Sequence, residues 1–235
     1  MAKLIPILLI LLMAYLSIRA SSAVSGARLR RQSRPLKNDR LERLLGRLAE
    51  TAGVDHVRVR VLDQEMINGL ATPSGEIYVT RGLVSAVQRG RVTPAEFASV
   101  VAHELGHLAL GHTKRRMIDV LGAQAATMVV GGLVARFIPV IGWYIARGLA
   151  NLMVASLSRK DEFEADRYAT ALMLRAGLGA EPQARMLEKL ADLTPGMPQG
   201  DGPAGWLASH PPVPERASAI RQNATIWSER DGTAG

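Results

Sequence analysis

The sequence of 235 residues contains no cysteine. That absence excludes disulfides, a thiolate nucleophile, cysteine-ligated zinc and a lipid-modified N-terminal cysteine, while leaving the compartment open. Also absent is any uncharged run of the roughly 18 residues that argue for a membrane-spanning helix. The two longest candidates are the fifteen residues Leu4–Ile18 and the stretch Val120–Ala135. A third absence is excess charge on the body of the chain. The net charge is +8, yet Lys3–Arg47 holds ten basic and two acidic residues, and the remaining nineteen basic and nineteen acidic residues cancel. A nucleic-acid binder carries its positive potential on the surface that reads its ligand, so no nucleic-acid partner is expected.

The basic charge sits beside the apolar run Leu4–Ile18, where attraction to anionic membrane lipid is its most economical use. As a helix this run is about 22 Å long against a hydrocarbon core of ~30 Å, so spanning requires Lys3 and Arg19 to snorkel. Ser21-Ser22-Ala23 offers the small residues of a signal-peptide cleavage site. Against cleavage and export, six basic residues follow between Arg19 and Lys37, and positive charge there hinders transfer across a membrane. The reading favoured is a retained hydrophobic anchor over residues 1–20 and a basic linker over residues 21–37. Localisation is then at a membrane through a single N-terminal anchor. The charge rule leans to the cytoplasmic face without deciding against the periplasmic or extracytoplasmic one.

Residues 38–230 are enough for one domain whose core needs no covalent staples. Asn38 caps a helix with leucines at 41, 44, 45 and 48, ending near Gly53. Val57, Val59 and Val61 alternate with arginines as a half-buried strand does, with His56 at its start read as structural. Thr72-Pro73-Ser74-Gly75 is a turn leading into a strand over residues 76–80. Helices are expected from Arg159 to Gly177 and from Glu181-Pro182 to about Leu193, with a proline- and glycine-rich loop from Thr194 to Gly205 before His210. The apolar segment 120–157 is read as buried or membrane-dipping helices near the site.

The chemistry concentrates at His103-Glu104-Leu105-Gly106-His107. Thr93-Pro94-Ala95-Glu96 upstream reads as a capping box with proline at the first helical position, which places the motif on a helix. Histidines four residues apart then share one face and reach one metal ion, while Glu104 turns to the ion's open side as general base for water. A catalytic zinc needs a third protein ligand. His112 lacks the spacing of the three-histidine pattern and is read as a helix-end histidine near the C-terminal dipole. Glu162 and Asp166 are the better candidates. Four apart on a helix, one carboxylate binds the metal and the other receives a ring N–H from a ligating histidine.

With Ser158-Arg159-x-x-Glu162-Phe163-Glu164-Ala165-Asp166 following the His-Glu-Leu-Gly-His run, the sequence resembles the gluzincin metallopeptidases of family forty-eight, which include HtpX, BepA and the CAAX prenyl endopeptidases. Asn68–Leu83 is similar to that family's active-site edge strand, and Ser209–Arg216 to its C-terminal His-Pro motif. Gly69 departs from the alanine usual there. The resemblance implies one zinc per chain held by His103, His107 and Glu162, with Glu104 as general base, Asp166 behind a ligand, and polypeptide bound along Asn68, Ala71 and Thr72. It also raises His210, either toward the metal's open position or as a stabiliser of the oxyanion, and leaves Arg216 to anchor the terminal helix by a salt bridge.

The resulting expectation is an α+β, mainly helical zincin-like domain with a small sheet carrying the edge strand, preceded by the anchor helix. Its function is zinc-dependent endopeptidase action on unfolded or membrane-associated proteins, in protein quality control. The rival is a non-proteolytic holder of misfolded membrane or envelope proteins with a structural or latent zinc site. Glu104 favours the enzyme, because a structural site has no use for a general base.

Overall fold

The computed structural model describes residues 26–115, 159–193, 210 and 215–232. The expected anchor, the segment 120–157 and the loop 194–205 lie outside them. Among the described residues no helix is long and apolar enough to cross a membrane.

Local sequence sets each helix boundary. Asn38 accepts the Leu41 N–H at 3.1 Å and starts the first helix, Asp39–Ala52, which Gly53 ends at φ 68°. That left-handed conformation is open to glycine without the Cβ penalty. The motif helix, Pro94–Ala109, begins with the reciprocal bonds of a capping box: Glu96 N–H to Thr93 Oγ1 at 3.2 Å and Thr93 N–H to Glu96 Oε2 at 2.8 Å. Glu96 also receives Lys189 at 2.7 Å, tying this start to the helix Glu181–Leu193. A helix over residues 159–175, here the carboxylate helix, follows, and Glu215–Gly232 packs against Glu181–Leu193 through Ile220 and Ala184.

Four short strands form one sheet in the order β1 (Ser33–Pro35), β2 (Val59–Leu62), β4 (Ile77–Thr80), β3 (Gly69–Ala71). β2 and β4 run parallel at the centre, while β1 and β3 flank them antiparallel. β1 lies within the segment read as a linker: three residues with little apolar character hold their place by pairing Ser33 with Leu62 and Pro35 with Arg60. The Val-Arg alternation marks a strand correctly, but pairing begins at Val59 and not at Val57. The core fills the space between sheet and helices with Leu41, Leu48, Ile77, Val79, Phe97 and Met173.

Two close approaches position the site. A Cβ on Gly69 would stand 2.9 Å from Val100 Cγ1 and 3.7 Å from Glu104 Oε1, so the β3 backbone lies directly on the motif helix. Glycine in place of the family's usual alanine thus makes room for the β-branched Val100. A Cβ on Gly106 would stand 2.9 Å from the Ala165 carbonyl oxygen, so the motif and carboxylate helices touch backbone to backbone. Gly106→Ala is expected to force the two helices apart. Overpacking of this kind costs about 1–3 kcal/mol, read as a lower urea midpoint, together with weaker metal binding because the donors sit on opposite sides of that contact.

Candidate metal centre

His103 and His107 lie one helical turn apart on the motif helix, and their Nε2 atoms are 3.1 Å from each other. Across the Gly106 contact, the Glu162 carboxylate reaches both: Oε2 is 3.3 Å from His103 Nε2 and Oε1 is 3.4 Å from His107 Nε2. Glu162 is fully buried and both histidines are buried. Donors held about 2.0–2.1 Å from a tetrahedral zinc stand roughly 3.3 Å apart, which is the spacing of all three edges of this triangle.

The hydrogen-bond directions agree. Asp166 Oδ1 lies 2.9 Å from His103 Nδ1, and a carboxylate there takes the Nδ1–H, which leaves the lone pair on Nε2. The expected division between the two carboxylates is thus the one seen: Glu162 faces the shared point and Asp166 stands behind a histidine. Arg216 is 1% exposed and does more than anchor its helix. Its Nε donates to Asp166 Oδ2 at 2.6 Å, and its Nη1 lies 3.1 Å from Glu162 Oε2. Gln183 Nε2 also donates to Asp166, to its backbone carbonyl at 3.2 Å and to Oδ1 at 3.5 Å.

His210 closes the cluster. Its Nδ1 is 2.9 Å from Glu162 Oε2 and 3.3 Å from His103 Nε2, and its Nε2 is 3.2 Å from Glu104 Oε1. That last pair is not aligned as a hydrogen bond, and Glu104 Oε1 is buried with no hydrogen-bond partner among the described residues. Asn68 Oδ1, on the residue preceding β3, is the other buried oxygen in that condition. Thr72, by contrast, spends its N–H and hydroxyl on Glu76 O at 2.9 and 3.0 Å, closing the turn before β4. Thr80 N–H bonds Asn68 O and Thr72 N–H bonds Glu76 O. Pairs alternate along an antiparallel ladder, so the backbone groups of Gly69 and Ala71 point to the outer edge of β3.

The electrostatics say what the cluster lacks. Glu104, Glu162 and Asp166 are three buried carboxylates facing one buried guanidinium, Arg216. With neutral imidazoles two negative charges are left over, and unpaired buried charge is too costly to persist. A divalent cation cancels it, and without one protons on the His103 and His210 rings do so; the donor set fits a metal in number and spacing. Burial by itself lowers the His103 pKa, but Asp166 and Glu162 more than reverse that and raise it to about 9. Burial raises Glu104, and the positive His210 outweighs this and holds it at about 2. Glu104 is therefore ionised at neutral pH, the form a general base needs. Burial likewise disfavours charge on Glu162 and Asp166, yet His210 beside the first and Arg216 beside the second hold both below the ordinary carboxylate range.

His112 follows the end of the motif helix, as read from the sequence, but it is also 2% exposed, with Nδ1 3.1 Å from His107 Nδ1 and Nε2 3.0 Å from Glu164 Oε2. Four donors, from His103, His107, Glu162 and His210, can meet one ion, and His112 is not among them.

Comparison with known proteins agrees with this geometry. The sequence pattern of Peptidase family M48 matches residues 35–224. The chain is 30% identical to Metalloprotease LoiP of Escherichia coli (strain K12) over 185 residues, 77% of this chain and 68% of that protein. It is 29% identical to Metalloprotease YcaL of the same strain over an equal span, again 77% of this chain and 68% of the relative. It is 27% identical to the Mitochondrial metalloendopeptidase OMA1 of Arabidopsis thaliana, covering 73% of this chain and 32% of that protein.

Metal content gives the direct check. The purified chain is expected to hold one zinc, and Glu162→Ala, which removes one of three donors, is expected to lose it on dialysis against a weak chelator. Glu104→Gln, whose side chain adds no edge to the donor triangle, is expected to keep it. Unchanged stoichiometry and affinity in Glu162→Ala would remove Glu162 from the ligand set.

Proposed function

The chain belongs to peptidase family M48 and is a zinc metalloendopeptidase, and on that premise we propose that His103, His107 and Glu162 hold the zinc while Glu104 acts as its general base. The observation that supports this most is the donor triangle with Glu104 Oε1 at its side, buried and without an aligned hydrogen bond. Bound zinc would polarise the substrate carbonyl and bring the pKa of water to near 7. Glu104 takes the proton from the attacking water as its oxygen bonds the carbonyl carbon, then returns that proton to the amine nitrogen as the C–N bond breaks. His210 lies on the fourth side of the cluster, where a ring N–H meets the developing oxyanion; single donors of this kind are worth about 2.7–4 kcal/mol.

Substrate enters by strand addition. The outward N–H and C=O groups of Gly69 and Ala71 pair with an extended peptide, and Asn68 Oδ1 accepts one further substrate N–H. Main-chain pairing asks little of side chains, which suits exposed segments of unfolded or membrane-associated proteins and a place in protein quality control. The apolar run Leu4–Ile18 serves as the anchor in this reading. The helical stretch 26–31 carries part of the basic segment, and there Arg30 Nε bonds Glu76 Oε2 at 2.7 Å beside the β3–β4 turn.

Two measurements follow. Glu104→Gln, with zinc still bound, is expected to lose casein hydrolysis by at least about 100-fold, the scale of general-base catalysis; equal activity in variant and parent would refute the mechanism. Asn68→Ala is expected to raise KM for peptide substrates and leave zinc content unchanged, whereas an unaltered KM would take Asn68 out of substrate binding.

A further inference from the structure

His112 stands five residues after His107, and on a continuous helix that spacing would turn it about 140° away around the axis. The motif helix instead stops at Ala109, Gly111 adopts φ 71°, and a new helical turn starts at residue 112. The reversal lays the His112 ring against the back of His107, with ring centroids 5.2 Å apart and Nδ1 to Nδ1 3.1 Å. On its far side, Nε2 is 3.0 Å from Glu164 Oε2 and 3.7 Å from Asp161 Oδ1, both on the carboxylate helix.

With one proton on each imidazole, this chain of hydrogen bonds has one consistent direction. An ionised Glu164 can only accept, so His112 Nε2 carries the ring's proton. Its Nδ1 is then a lone pair, which His107 Nδ1–H fills. His107 is left with its own lone pair on Nε2, the atom 3.4 Å from Glu162 Oε1. A separate cation site at His112, Asp161 and Glu164 is the competing use of the same atoms. Arg115 Nη1 already sits 3.1 Å from Asp161 Oδ1, so that place holds its positive charge. The geometry points to His112 as a positioning residue: held by Glu164, it keeps His107 in the tautomer that presents Nε2 to the metal. This rests on the ligand assignment proposed above. Asp166 serves His103 directly, whereas His107 is served through an intervening ring whose carboxylate is 37% exposed.

The test is the zinc affinity of the full chain by chelator competition in the parent, His112→Leu, His112→Asn, Glu164→Ala and Glu164→Gln. Asn keeps an acceptor where the ring Nδ1 stood, and Gln keeps one where the carboxylate stood. Loss of an outer partner of a metal-bound histidine typically weakens binding about 10–100-fold, which is the loss expected for His112→Leu. His112→Asn and Glu164→Gln are expected to stay near the parent, and Glu164→Ala to fall between. Nitrogen-15 shifts of the His107 ring supply a readout that a packing role would not move: Nδ1–H in the parent, with an Nε2–H fraction appearing in His112→Leu. Parental affinity in His112→Leu, equal loss in the Leu and Asn variants, or Nε2–H in the parent overturns the assignment. Should His112→Leu fail to fold, equal affinities in Glu164→Ala and Glu164→Gln overturn it instead. Glu162→Ala run alongside separates the two readings, since zinc retained there defeats the ligand set whatever His112 does.

Discussion

Two helices press their backbones together at Gly106 and Ala165, and that contact is what allows a buried carboxylate to meet two imidazoles. No long side chain bridges a gap here. Glu162 is brought to His103 and His107 because nothing larger than a hydrogen separates the helices one turn away. Everything around the contact serves to hold it. The capping box starts the motif helix, Lys189 ties that start to the next helix, and Arg216 reaches in from the last described helix to bind Asp166 and Glu162. A buried cluster with excess negative charge would push its own helices apart, and the guanidinium and a metal ion together remove that stress.

The same motif helix that carries His103, Glu104 and His107 also backs the outer edge of β3. Gly69 on β3 lies against Val100 and Glu104, so the strand that would register a peptide and the group that would activate water are fixed to one rigid element. Catalysis by positioning tolerates little play. The four short strands seen among the described residues present one edge and, through Val61, Ile77 and Val79, also close one side of the core.

Much of this was legible in the chain. Asn38 with its leucines, Thr93-Pro94-Ala95-Glu96 and the glycines at 53 and 177 are local signals, and local signals predict helix ends well. The i,i+4 spacing of His103 with His107 and of Glu162 with Asp166 predicted two faces that the structure brings together. What was not legible depends on long-range pairing or on a change of direction. β1 is three residues held only by β2. Arg216 was read as anchoring the terminal helix by a salt bridge, but neither its partner Asp166, 50 positions away, nor its burial has a sequence signature. His112 was set aside as a ligand by its spacing, and its contact with His107 depends on the left-handed turn at Gly111, which spacing does not convey.

The two oxygens without partners show where stability was surrendered. Leaving a buried acceptor unsatisfied costs about 1–3 kcal/mol, and for Glu104 the His210 ring 3.2 Å away offsets part of that. Asn68 Oδ1 and Glu104 Oε1 are the pair so placed among the described residues, and they flank Gly69 where β3 meets the motif helix. Elsewhere the cluster is saturated: Asp166 takes Arg216, His103 and Gln183, and Glu162 takes Arg216 and His210. Unsatisfied acceptors confined to one side of an otherwise saturated site are what a reaction needs that must bring in an N–H and a water proton from outside. The hydrogen bonds missing from the resting protein are the ones its substrate supplies.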